Sequence, residues 1–185
     1  MQRELFGGAI TAVIPEAFRD ASIIREVPDN QEVYVDINTD QSIIVELLEQ
    51  AEEASNDECG LYHFKQLAED NNAENFEIIK NEDIISQDIP NIKIESIKKL
   101  VLGKQIISKF NEKDPDAQNI VNIYLAVIRV PSIETDMLIS YNCPVYIGSK
   151  SSSRTQSKEG QETISDELFK QLIKSFNVVD WELFN

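Results

Sequence analysis

Asp36-Ile37-Asn38-Thr39-Asp40 carries oxygen-bearing side chains at alternate positions, the opening pattern of a calcium-binding loop. Such a loop needs glycine at its sixth position for the sharp turn, and Gln41 stands there. Its twelfth position needs a bidentate glutamate and holds Leu47, with Glu46 one place off. The segment cannot wrap an ion, so no metal is expected. The single histidine, His63, has no second His or Cys beside it at metal-ligand spacing. Cys59 lies four residues before His63, so a helix would place thiol and imidazole on one face. That spacing alone does not make a nucleophile and its base. A helix histidine packed partly inside is the simpler expectation. Neither a Walker glycine loop, a dinucleotide fingerprint nor a G-x-S-x-G elbow occurs. Thirty-three acidic residues make pairs of carboxylates unavoidable, so a pair has no diagnostic weight. The expectation is a chain that is not an enzyme and needs no cofactor.

One constellation remains. Asp20, Glu26, Asp29 and Glu32 cluster in sequence around Arg25 and the turn-forming Pro28. Carboxylates so grouped can meet lysines and arginines of another protein, and the planar fork of Arg25 can set the orientation. The plainer alternative is an ordinary polar connection between strands. Net charge favours the first reading. It is −16 over 185 residues, which repels nucleic-acid phosphates and suits a basic partner. Residues 1–60 hold three basic and fourteen acidic residues, a balance of −11, so the negative field gathers near that segment.

Elements must hold these groups in place. Gly7 to Ile14 predicts a strand, with the glycines allowing a bulge or close backbone approach. Asp20 caps a short helical turn to Ile24, Val27–Asn30 make a turn, and Glu32 to Ile37 alternate as a second strand. Asp40 is expected to cap a helix to Ala54, with Ile44, Leu47, Leu48 and Ala51 on one face. Ser55 and Glu58 form a capping-box pattern for another helix to Asp70. Phe76–Ile79 and Ile92–Ile94 suggest short strands, while Glu95–Phe110 fits helix or strand. Ile120 to Val130 is a nearly unbroken β-branched run, the mark of a strand covered on both faces, and Met137 to Cys143 return beside it. Residues 148–162 are expected as a mobile loop. Thr163 with Asp166 opens a last helix burying Leu168, Leu172, Ile173 and Phe176, and Val178, Val179, Trp181 and Phe184 pin the tail. The sum is an α+β layered sandwich.

The length suits one domain over residues 1–185, and a hydrophobic fraction of 42% suffices for a core. Cys59 and Cys143 are expected as buried thiols. The first residues lack a signal-peptide core, and no apolar run is long enough to span a bilayer. A monomer in cytoplasm and nucleus, bound to neither membrane nor nucleic acid, is the expectation.

LFGGAITAVIP at 5–15, DASIIREVPDNQEVYV at 20–35 and DQSIIVELLE at 40–49 closely resemble the Ran guanine-nucleotide release factor family, the Mog-type nuclear import factors. YHF at 62–64, GKQ at 103–105, RVPSIETDMLIS at 129–140 and LFKQLIKSFNVVD at 168–180 continue the resemblance in order. It spans nearly the whole chain, apart from 71–95 and 148–162. The resemblance implies a PsbP-like α/β/α sandwich around a mainly antiparallel sheet, with strand rather than helix around Gly103. It implies binding to the GTPase Ran and release of its guanine nucleotide in support of nuclear import. The family's acidic Ran-binding residues correspond to Asp20, Asp29 and Glu32, with Arg25 on the same surface. A general acidic adaptor for basic proteins is the alternative that composition leaves open.

Overall fold

The computed structural model describes residues 1–108, 117–151 and 162–184. Among these, a seven-stranded sheet runs in the order β3-β4-β5-β9-β8-β7-β6. The strands are β3 (Arg19–Asp20), β4 (Gln31–Asp36), β5 (Gln41–Glu49), β6 (Asn75–Asp83), β7 (Ile97–Ser108), β8 (Gln118–Val130) and β9 (Thr135–Tyr146). Every neighbouring pair is antiparallel. A smaller sheet joins β1 (Gln2–Leu5), β2 (Ile10–Val13) and β10 (Asn177–Val178). Helix α1 (Cys59–Asp70) packs on one face of the large sheet, over β7 and β8. Helix α2 (Glu162–Ser175) packs on the other face with the small sheet, against β9 and β2. This is the α/β/α sandwich that the resemblance implied.

Strand β8 shows why the sheet is central. Successive side chains point to opposite faces. Ile123, Leu125 and Val127 enter the core under α1 with Phe64 and Cys59. Tyr124, Ala126 and Ile128 enter the core under α2 with Phe169, Leu172 and Phe176. Both faces are covered, so the sequence reads as continuous rather than alternating. The same logic separates the two buried cysteines: Cys59 belongs to one core and Cys143 to the other, and they form no disulfide.

The helix expected from Asp40 to Ala54 is not formed; Gln41–Glu49 is β5. It lies between β4 and β9, with Ile43 and Val45 in one core and Leu48 packed against the other. Apolar residues on both faces, Ile43 and Val45 on one and Ile44 and Leu48 on the other, erase the alternation, and the surviving spacing mimics a helix. Ile43-Ile44-Val45 was the β-branched signal pointing the other way. Asp40 is no cap: its φ is 57°, the left-handed value of a hairpin turn. The calcium-like segment is that turn. The Asp36 carboxylate accepts from Asn38 N and Nδ2 at 3.0 and 3.2 Å and from Thr39 Oγ1 at 2.8 Å.

Other boundaries shift for local reasons. Gly7 and Gly8, at φ 65° and 95°, turn the chain between β1 and β2, so the strand expected from Gly7 begins only at Ile10. Ser55 Oγ donates to Glu58 Oε2 at 2.8 Å, but in the turn before α1, which starts at Cys59. Ile92–Ile94 is not strand; Ile84, Ile89 and Ile92 fold the β6–β7 connection over the α2-side core. Around Gly103 the chain is strand β7. Val178 pairs with Ile10 and Trp181 and Phe184 pack on the core, whereas Val179 is exposed. The loop expected over 148–162 lies mostly outside the described residues, as does the Thr163 side chain.

Candidate functional site

The acidic segment joins β3 to β4 at the edge of the large sheet. Asp20 closes β3, and its Oδ1 accepts from Ser22 N at 2.8 Å, capping a single 3-10 turn, Ala21–Ile23. Ala21 is fully buried, and its carbonyl accepts from both Ile24 N and Arg25 N at 3.0 Å. A second turn is closed by Gln31 N to Pro28 O at 2.9 Å and leaves Asp29 exposed. Asn30 is tied to β5: its carbonyl accepts from Leu47 N at 2.9 Å, and its Nδ2 donates to Leu47 O at 3.2 Å. The loop is therefore anchored at both ends.

Asp20, Arg25 and Asp29 share this loop. Arg25 also lies at a cleft of about 370 Å³ on the α1 face, with a floor that includes Val35, Ile44 and Ile123. Glu32 is placed differently. It is half-buried, and its Oε1 accepts from Phe6 N at 2.6 Å, which fastens the β1–β2 turn to β4. Beside it, burial first and then the charges of Glu32 and Asp20 raise the Tyr34 hydroxyl pKa.

A second acidic surface escaped sequence reasoning. Glu46, Glu49, Glu52, Glu53 and Asp70 line a cleft of about 680 Å³ between β5 and α1, together with Tyr62 and His63. A helix over 40–54 would have carried Glu46, Glu49, Glu52 and Glu53 around the side away from its apolar face. The strand places Glu46 beside α1, and Gln31 Nε2 donates to Glu46 Oε1 at 2.7 Å, linking the cleft to β4.

The wall formed by residues 50–54 is held by buried charge. Arg129 and Asp136 face each other across β8 and β9, both fully buried. Arg129 Nε donates to Asp136 Oδ1 at 2.7 Å and Nη2 to Oδ2 at 2.8 Å. Arg129 also donates to Ala54 O at 2.6 Å and Ala51 O at 3.1 Å. Asp136 Oδ2 accepts further from Ala51 N at 3.1 Å and His63 Nε2 at 2.7 Å. Burial opposes ionisation of Asp136, yet these hydrogen bonds, Arg129 first, prevail and lower its pKa to about 2. His63 is thus a buried helix residue engaged with Asp136. Cys59 Sγ points instead to Asn56 O at 3.3 Å, and burial raises its thiol pKa, which disfavours the nucleophilic thiolate. A signal for this network was present: Arg129 and Asp136 are the single charged residues of β8 and β9. Among the described residues no group of three or more His, Cys, Asp or Glu is arranged to hold a metal.

Fold and surface together define the class: an antiparallel α/β/α sandwich that presents carboxylates from a rigid edge loop and an adjoining cleft. The chain belongs to the family described as Ran-interacting Mog1 protein, whose profile matches residues 3–144. It is 38% identical to the Ran guanine nucleotide release factor of Danio rerio, over the full length of both chains. It is 33% identical to the nuclear import protein MOG1 of Saccharomyces cerevisiae, covering 98% of this chain and 83% of that one. The crystal structure of the Saccharomyces cerevisiae Ran-binding protein Mog1p superposes with a TM-score of 0.72 at 32% identity, covering 100% of this chain and 98% of the other.

Proposed function

We propose that this chain binds Ran and promotes release of its guanine nucleotide in support of nuclear protein import. It acts by binding rather than by bond-making chemistry, and it works in nucleus and cytoplasm. The full-length likeness to a Ran guanine nucleotide release factor is the observation that carries this reading. The anchored acidic loop supports it physically, because a surface held still before contact loses little freedom on binding. Asp20, Arg25 and Asp29 are the contact residues of that surface, with Glu32 at its base.

Binding empty Ran more tightly than loaded Ran lowers nucleotide affinity by the same factor, a thermodynamic necessity. A carboxylate such as that of Asp29 can offer a partner to a basic group on the GTPase that otherwise serves phosphate. A tenfold acceleration needs about 1.4 kcal/mol off the barrier, within reach of one charge-assisted hydrogen bond. The test is the loss of fluorescent nucleotide from Ran with and without this protein. Faster loss is expected; an unchanged rate removes the reading. A general acidic adaptor is the second reading, favoured by the five-carboxylate cleft. It requires binding to many basic proteins alike, insensitive to Asp29→Ala and abolished by salt.

A further inference from the structure

We infer that Ile23 and Ile24 form the apolar centre of the Ran-binding surface, an inference that rests on the function proposed above. The two isoleucines are consecutive, and 74% and 68% of their surface is exposed. Flexibility does not account for this exposure. The residue before Ser22, Ala21, is sealed in the core, and the Asp20 cap and two hydrogen bonds to the Ala21 carbonyl fix the turn. The backbone thus holds both side chains out in water. Other exposed isoleucines among the described residues, Ile37, Ile79 and Ile85, have no exposed large apolar residue next to them in sequence.

What surrounds the pair says what covers it. Arg25 follows it directly, Asp20 stands three residues before Ile23, and Glu26 and Asp29 come after in the same loop. An apolar centre within a charged rim is the anatomy of an interface in which a few desolvated side chains carry most of the affinity. The rim is mainly negative, so the matching surface is basic with an apolar depression at its middle. A second copy of this chain would bring like charge against like. Charge contacts of the rim govern encounter, and the isoleucines govern how long the complex lasts.

The experiment titrates Ran with the full chain by calorimetry at low and high salt, and follows release of labelled nucleotide in parallel. The variants are Ile23→Ser, Ile24→Ser, the double variant and Ile24→Leu, with Ile85→Ser at the opposite side of the sheet as control. Each serine substitution in the turn is expected to weaken binding by about tenfold or more, chiefly through faster dissociation. Ile24→Leu should restore most of the affinity, and Ile85→Ser should stay within about twofold of the parent. Thermal melts should be unchanged, because neither isoleucine packs inside. A double variant that binds Ran as the parent does would overturn the inference and leave the proposed function standing. Absence of any Ran binding by the parent chain would overturn both.

Discussion

At the scale of single residues, the structure separates two carboxylates that the sequence treats alike. Asp29 is exposed, whereas Glu32 holds the Phe6 amide. Asp29→Ala is therefore expected to abolish measurable Ran binding in calorimetry with an unchanged melting curve. Glu32→Ala should lower affinity and also cost about 1–3 kcal/mol of stability, since it strands a partly buried donor; chemical denaturation distinguishes the two outcomes. Asp136 gives the pH expectation. Its pKa lies near 2 in the folded chain, below the ordinary value of 3.8, so its contribution is complete at neutral pH. About 2 kcal/mol of stability should disappear as pH falls from about 4 to 2, and an NMR titration should put the side-chain midpoint near 2. Arg129→Ala leaves Asp136 buried without its partner and should cost roughly 3–5 kcal/mol. The acidic loop was legible because Asp, Pro and Asn state their turn chemistry locally. The Arg129–Asp136–His63 network was signalled only by two charges in neighbouring strands, because His63 reaches Asp136 from a helix 73 residues earlier.

At the scale of elements, legibility followed local turn chemistry, helical periodicity and the length of β-branched runs. The turn after Asp20, helix α1 and strand β8 were readable from caps, periodicity and β-branched content. Strand β5 was not, because Ile44 and Leu48 on its second face hide the alternation and leave a spacing that also fits a helix. Losing β5 meant losing the cleft it walls. Gly103 was ambiguous in sequence and is explained by packing. A Cβ there would lie 2.5 Å from Phe64 Cζ and 2.6 Å from the Glu77 carbonyl oxygen. The glycine lets α1 sit close on the sheet. Gly103→Ala is expected to destabilise the fold by about 1–3 kcal/mol, measured by urea unfolding, as overpacking against backbone does. A parental midpoint in that variant would show that α1 can ride outward at no cost.

At the scale of the whole molecule, the charge of −16 and its concentration in the first third of the sequence were plain from composition, but not their shape. The chain turns them into an edge loop and a cleft on one sheet. Raising the salt concentration should weaken association with Ran several-fold, mostly through slower encounter, while the isoleucine pair preserves a salt-resistant remainder; stopped-flow mixing across a salt series separates these contributions. Strand β5 has one more effect. Through Asn30 to Leu47 and Gln31 to Glu46 it ties loop and cleft into a single block. A block of that kind works as a mould. Whatever deformation frees a nucleotide must then be borne by the GTPase pressed against it, and the domain should emerge from each encounter with its own shape unaltered.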